Sequence, residues 1–144
     1  MKWAINIGET AEAYVYYRLR SWGFDAHFAN GLGSPFDIWV PSGSSSIIRI
    51  QVKGTSASEK RKPGQLHSQI FAFSTGRGGG KKQAYEADDY DIMALVALPL
   101  ERAFFTTESM GKKRRVQAKK FDDFYEKYSW EKCFERIKDN QREK

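Results

Sequence analysis

The sequence predicts an α/β protein in which a mixed β-sheet is flanked by an N-terminal and a C-terminal helix. Apolar residues recur at helical spacing at both ends of the chain, and short strand-like segments fill the stretch between them. This order of helix, strands and helix is typical of α/β or α+β layers around one sheet. With 144 residues the chain has the size of one ordinary domain, so we expect a single domain over residues 1–144.

The N-terminal helix is predicted by five apolar residues at spacings of four and three: Ile7, Ala11, Val15, Leu19 and Trp22. This pattern covers residues 7–22. Gly23 follows it directly, in the position where glycine commonly ends a helix.

Six short segments are predicted to be strands: residues 24–29, 36–40, 47–52, 70–73, 91–98 and 102–106. The third alternates most clearly, with Ile48, Ile50 and Val52 on one face and Arg49, Gln51 and Lys53 on the other. The turn at Pro99 predicts that the last two form a hairpin. We expect the polar stretch from Lys53 to Leu66 to be a loop, and Lys112 to Arg115 to be a charge run in a turn-bounded segment.

The C-terminal helix is predicted by a second apolar stripe: Phe121, Phe124, Tyr125, Tyr128, Trp130, Cys133, Phe134 and Ile137. We expect this stripe to lie in the core or at a subunit interface, and we do not expect it to stack on nucleic-acid bases.

The net charge of +6 is spread unevenly along the chain. Residues 53–82 carry seven basic and one acidic side chain, residues 83–110 one basic and six acidic, and residues 111–144 twelve basic and seven acidic. This distribution indicates a positive face that would suit nucleic acid. The candidate contacts are Arg49, Arg77, Lys81, Lys82, Lys112, Lys113, Arg114 and Arg115.

Several classes of protein are excluded at this stage. The longest nearly unbroken apolar run has nine residues, whereas a membrane span needs about 20. With one cysteine and two histidines, the chain offers neither a disulfide framework nor a zinc cluster. The segment from Gly76 to Lys82 departs from the phosphate-binding loop pattern, so we expect no nucleotide cofactor. No secretory signal is evident, and we expect an intracellular protein of the cytoplasm or nucleoid.

The residues that carry chemistry lie between the first helix and the third strand. Asp37 follows a Gly/Ser/Pro loop, and Gln51 and Lys53 point the same way from what we predict to be the neighbouring strand. Glu9 and Glu12, one turn apart on the helix, can add a carboxylate. Mg²⁺ prefers such oxygen ligands, and a lysine can orient the attacking water when a phosphodiester is hydrolysed.

The pattern Pro35-Phe36-Asp37 followed by Gln51-Val52-Lys53 resembles the PD-(D/E)XK nuclease superfamily. Two branches are similar in particular. The small intron-associated and phage homing endonucleases also carry glutamine at the Asp/Glu position, and the archaeal-type Holliday-junction resolvases share the order of a Glu-bearing helix, Gly-Phe and Pro-Asp. The resemblance implies a restriction-endonuclease-like core, DNA as the partner, Mg²⁺ as the cofactor, and the cytoplasm or an infected host cell as the location.

The resemblance also implies roles for individual residues. Glu12 matches the helix carboxylate, Asp37 the essential metal ligand and Gln51 the second ligand position. Lys53 matches the catalytic lysine, and the main-chain carbonyl of Val52 would complete the metal shell.

The chain departs from the family pattern at Gln51, because a neutral amide oxygen is a weaker ligand for Mg²⁺ than a carboxylate. Glu12 and Asp37 are then the two charged ligands, and Glu9 is a secondary candidate. We expect a metal-dependent DNA endonuclease that acts as a homodimer or homotetramer, because cleaving two strands needs two sites. The alternatives are a Holliday-junction resolvase with the same site and a non-catalytic nucleic-acid-binding protein whose nuclease site has decayed.

Overall fold

The structure is a computed structural model that describes residues 6–29, 34–43, 45–59, 69–76, 89–108 and 111–143. Its helices are α1 (Ile7–Ser21) and α2 (Asp123–Arg142). Its strands are β1 (His27–Phe28), β2 (Ile38–Pro41), β3 (Ile47–Thr55), β4 (Ile70–Ser74), β5 (Ile92–Ala97), β6 (Arg102–Thr106) and β7 (Lys113–Gln117). Within these ranges, the helices lack the length of apolar sequence that spanning a bilayer requires.

Five strands form the main sheet, in the order β1-β2-β3-β5-β6. The pair β3 and β5 is parallel, and the other three pairs are antiparallel, so the sheet is mixed, as predicted. Strands β5 and β6 are the predicted hairpin, joined by a short 3₁₀ turn at Leu98–Leu100. Strand β5 lies inside the sheet, between β3 and β6, and all six of its residues are buried, as its continuous apolar sequence predicts.

The two helices cover one face of this sheet. Ala11, Val15 and Leu19 of α1, with Trp130 and Cys133 of α2, pack on a single core with the inward residues of the sheet. The helix α1 therefore follows the predicted apolar stripe. Asn6 caps its N-terminus by accepting a hydrogen bond from the Glu9 backbone N–H at 3.0 Å.

The other face of the sheet is covered by a separate two-stranded antiparallel sheet, β4–β7. Its buried residues Phe71, Phe73 and Val116 pack with Met93 and Leu95 of β5 in a second apolar cluster. The prediction of a turn-bounded charge run at residues 112–115 is thus wrong. Most of that run is β7, which is held by long-range pairing with β4.

Other boundaries differ from the prediction for identifiable reasons. The first strand comprises only His27–Phe28, and β3 continues to Thr55, where a loop was expected, because it pairs with β5 along its length. In α2, Phe124 and Tyr128 are exposed, so part of the aromatic stripe lies outside the core. The predicted burial of Cys133 is confirmed.

One charged side chain of α2 is fully buried. The Glu126 carboxylate accepts hydrogen bonds from Tyr14 Oη at 2.5 Å, Arg18 Nε at 2.8 Å and the Ala103 backbone N–H at 2.7 Å. Ser129 Oγ accepts a hydrogen bond from the Phe105 N–H at 3.1 Å. The helix therefore satisfies the outward N–H groups of the edge strand β6.

Candidate active site

Asp37 lies where β2 begins to pair with β3. Its backbone N–H donates to the Ile50 carbonyl at 2.8 Å, which extends the ladder by one residue before the chain diverges. Its Oδ2 atom accepts hydrogen bonds from the Val52 backbone N–H at 2.8 Å and from Gln51 Nε2 at 2.9 Å. The Asp37 carboxylate thus accepts the Val52 hydrogen bond that a neighbouring strand would otherwise accept. Burial raises the pKa of Asp37, against the opposing effects of the Val52 N–H and the Lys53 ammonium.

Gln51 is buried, with 6% of its surface exposed. Its amide nitrogen donates to Asp37 and also to the Val52 carbonyl at 3.3 Å. The amide oxygen is therefore turned away from Asp37. For that oxygen to serve as a ligand beside Asp37, the terminal amide would have to rotate, which exchanges nitrogen and oxygen with little change in shape.

Lys53 lies two residues further along the same face of β3 and is half-buried. Its ammonium donates to the Gly76 carbonyl at 3.3 Å, just beyond the end of β4. Burial lowers the pKa of Lys53, while the carboxylates of Asp37 and Glu12 act in the opposite direction. The lysine is therefore within electrostatic reach of both predicted carboxylate ligands.

Glu12 approaches this group from α1. Its pKa is raised to about 7, chiefly by burial and also by the neighbouring carboxylates of Asp37 and Glu9, while Lys53 opposes the shift. Glu9 itself is exposed on the first turn of the helix. The structure thus brings Glu12, Asp37 and Lys53 into one electrostatically coupled group, with Gln51 hydrogen-bonded to it.

Gly54, for which the sequence predicts no role, also shapes this region. A Cβ atom at this position would lie 2.7 Å from Ala11 Cβ and 3.2 Å from Ile7 Cγ2. The missing side chain lets α1 lie close against β3, beside Lys53 and with Glu12 next to the contact. Glycine inside a strand is itself a signal of close backbone approach, so the sequence did contain this information.

The oxygen-bearing groups of this region are suitable ligands for a hard cation, although they are not a cluster of acidic side chains. In the described residues, no group of three or more His, Cys, Asp or Glu side chains is arranged to hold a metal ion. Two carboxylates, Glu12 and Asp37, are accompanied by the amide of Gln51 and the carbonyl of Val52. Oxygen is the element that Mg²⁺ prefers, and all four groups contain it, that of Gln51 becoming a ligand only after its amide rotates.

The predicted nucleic-acid contacts fall into three groups. Arg49 forms an ion pair with Asp91, with its Nε 3.3 Å from Oδ2, and its backbone N–H donates to the same carboxylate at 2.8 Å. Lys112, Lys113 and Arg115 are exposed around β7, and their placement supports the predicted positive surface. Arg114 instead opposes the buried Phe73 and pairs with Glu108, so it does not join that surface. Arg77, Lys81 and Lys82 lie outside the described residues.

The fold is similar to the solved structure of a bacterial homing endonuclease, I-Ssp6803I, with a TM-score of 0.61. The similarity covers 90% of this chain and 91% of that chain, at 16% sequence identity. No protein-family profile matches the sequence, and no curated protein matches it. At this identity the similarity establishes the fold alone. The chain therefore has an α/β fold, a mixed sheet with an N-terminal and a C-terminal helix, similar to that of a homing endonuclease.

Proposed function

We propose that this protein is a Mg²⁺-dependent DNA endonuclease of the PD-(D/E)XK type. The observation that carries the proposal is the hydrogen-bonded group of Asp37, Gln51 and the Val52 N–H, with Lys53 and Glu12 electrostatically coupled to it. The similarity of the fold to a homing endonuclease supports the same class of activity.

In this proposal Glu12, Asp37, Gln51 and the Val52 carbonyl would hold the cation. When bound, Mg²⁺ would polarise the scissile phosphate and acidify a water molecule. Burial is the main cause that raises the pKa of both carboxyls, and the charge of Asp37 adds to the shift of Glu12. A cation at this position would favour the charged form of both groups.

Lys53 is the residue of this chain that supplies positive charge at the proposed centre. Its hydrogen bond to the Gly76 carbonyl fixes the ammonium beside the carboxylates. From there it would neutralise charge that develops on the phosphate and orient the attacking water. Burial lowers the pKa of Lys53, and an anionic phosphate beside it would raise that pKa again. The bound phosphate would therefore favour the protonated ammonium.

Cleavage assays on three DNA substrates test the proposal: supercoiled plasmid, a four-way junction and single strands, each with Mg²⁺ or with EDTA. We expect plasmid cleavage with Mg²⁺, none with EDTA, and a rate for Lys53→Ala lowered by about a hundredfold or more, the loss typical of one group that stabilises a transition state. Lys127→Ala, at an exposed position of α2, is the matched control and should cleave normally.

The outcomes separate the alternatives. Preferential cleavage of the junction would identify a resolvase. DNA binding without any cleavage, unchanged in Lys53→Ala, would identify a non-catalytic binding protein and overturn the proposal.

We also propose that the active form is a homodimer or homotetramer. Each chain contributes one such centre, and a symmetric assembly would present one centre to each strand of a duplex.

A further inference from the structure

The β4–β7 ribbon has two chemically different faces. In antiparallel strands, directly opposed residues point to the same side. Phe71 and Phe73 of β4, with Val116 of β7, form the inner face and are buried. The outer face consists of the alternate pairs: Ile70 with Gln117, Ala72 with Arg115, and Ser74 with Lys113.

In the described residues, this outer face is narrow, and its β7 side is exposed and basic. The β4 strand contributes the half-buried Ile70 and Ala72 and the exposed Ser74, whereas β7 contributes the long exposed side chains of Lys113, Arg115 and Gln117. A two-stranded ribbon fits the major groove of B-form DNA, which is about 12 Å wide. Arginine pairs there with the O6 and N7 atoms of guanine, and glutamine pairs with adenine.

We propose that the β4–β7 ribbon enters the major groove of duplex DNA, with Arg115 and Gln117 contacting base edges and Lys113 contacting phosphate. The ribbon would then be the element that selects the DNA sequence. This inference rests on the proposed nuclease function, which it extends from cleavage to recognition.

An ion pair orients the Arg115 side chain in the free protein. Its Nε atom pairs with Glu59 Oε1 at 2.8 Å, and its side chain is still 57% exposed. Glu59 is itself anchored to the ribbon, because its backbone N–H donates to the Ile70 carbonyl at 2.8 Å. A preoriented, exposed guanidinium loses less conformational entropy on binding than a free one.

The ribbon is also connected to the candidate active site. Beyond β4, the Thr75 backbone N–H donates to the Lys112 carbonyl at 3.0 Å, which holds the two strand ends together. The next residue, Gly76, accepts the hydrogen bond from Lys53. A duplex held by the ribbon would therefore be placed in a defined position relative to Lys53.

Arg114 provides a matched control. It is the neighbour of Arg115 on β7, but it opposes Phe73 and so belongs to the inner side of the ribbon. It pairs with Glu108 at 2.7 Å, and its side chain is 34% exposed. Replacing Arg114 removes the same charge without removing an outward-facing side chain.

The experiment is the selection of bound sequences from a library of randomised duplex DNA. The parent protein, called the host below, is the Lys53→Ala variant, so that the library is not cut. We expect a sequence motif to be enriched. Arg115→Ala in this host should lose the preference at one base pair and bind the selected duplex about tenfold to a hundredfold more weakly. Gln117→Ala should relax a second position, and Arg114→Ala should retain the whole motif.

Two further arms test the groove and the phosphate contact. Lys113→Ala should weaken binding to all duplexes equally and reduce the slope of log affinity against log salt by about one. A-form duplex RNA, whose major groove is too narrow to admit side chains, should be bound weakly and equally by the host and by Arg115→Ala. Thermal unfolding of each variant verifies that it is folded.

The results distinguish this inference from the nuclease proposal. If the wild type cleaves plasmid but the host enriches no motif, or Arg115→Ala enriches the same motif, the ribbon proposal is overturned and the nuclease stands. An equal loss of affinity for DNA and RNA in Arg115→Ala also overturns it. If the motif depends on Arg115 and the wild type does not cleave, the ribbon proposal stands and the nuclease falls.

Discussion

At the scale of single residues, burial shifts two groups of opposite charge toward their neutral forms. The pKa of Glu12 is raised to about 7, and the pKa of Lys53 is lowered, in both cases chiefly by burial. The shift of Glu12 reduces its negative charge near neutral pH, and the shift of Lys53 weakens the hold of its amine on the proton. A cation beside Glu12 and a phosphate beside Lys53 would each favour the charged form.

The shift of Glu12 predicts a pH-dependent effect on stability. Because its pKa rises from 4.5 to about 7 on folding, the protonated carboxyl stabilises the fold fully below pH 4.5, and this contribution is lost as the pH rises through about 7. Glu12→Gln stays neutral, so above pH 7 without divalent cations it should be more stable than the wild type. We expect about 1–2 kcal/mol after allowance for solvent screening.

Urea unfolding at a series of pH values measures this difference. The gain should vanish below pH 4.5, where Glu12 is protonated in both the folded and unfolded states. Glu135→Gln, at an exposed position of α2, is the control and should show little change. A stabilisation of Glu12→Gln that is independent of pH would contradict the assigned cause.

Sequence reasoning at this scale succeeded where the chain itself carries the pattern. The alternation of β3 predicted that Gln51 and Lys53 share a face, and the structure confirms it. On that face the Gln51 amide donates a hydrogen bond to Asp37. Their roles as ligand and catalytic lysine stay predictions. The burial of Gln51 was not predicted, because it depends on a partner from another strand and on the sheet that covers this face.

At the scale of elements, the contact of α1 with β3 sets the position of Glu12. This contact predicts that Gly54→Ala forces the helix away, since the added Cβ would lie 2.7 Å from Ala11 Cβ. We expect a loss of about 1–3 kcal/mol, the usual cost of overpacking, together with slower DNA cleavage.

The matched substitution is Gly8→Ala on α1. Its Cβ would meet only Asn6 Oδ1 at 3.8 Å, an ordinary contact, and alanine favours the helix. Denaturant unfolding and the plasmid assay should therefore show that Gly8→Ala is neutral or slightly stabilised. Equal effects at the two glycines would show that the close approach at Gly54 has no special role.

Elements with a strong local pattern were predicted well, and those defined by pairing were not. The regular apolar spacing of α1 gave its range to within one residue. By contrast, Lys113–Gln117 contains only one apolar residue, Val116, so its sequence resembles a solvated segment. Only its partner β4, far away in the chain, makes it a strand.

At the scale of the whole molecule, Glu126 joins three elements. Its carboxylate binds Tyr14 and Arg18 of α1 and the Ala103 N–H of β6. No local signal predicts this, because a glutamate within an apolar stripe is ordinarily assigned to the solvent side. Its burial depends on donors that are more than a hundred residues away on α1.

Replacing Glu126 should therefore destabilise the entire fold. Glu126→Gln keeps the shape but leaves the guanidinium of Arg18 without its buried counter-charge, and we expect a loss of about 3 kcal/mol. Denaturant unfolding measures it, with the exposed Glu131→Gln as the control. A loss no larger than that of the control would show that the network contributes little to stability.

The capping of β6 by α2 has a consequence for how copies of the chain can meet. The Ala103 and Phe105 N–H groups are already engaged by Glu126 and Ser129. An incoming strand would find no donors there, so this flank resists both amyloid-like stacking and intermolecular sheet continuation. Contacts between copies must therefore use other parts of the surface, which include the opposite edge of the sheet at β1.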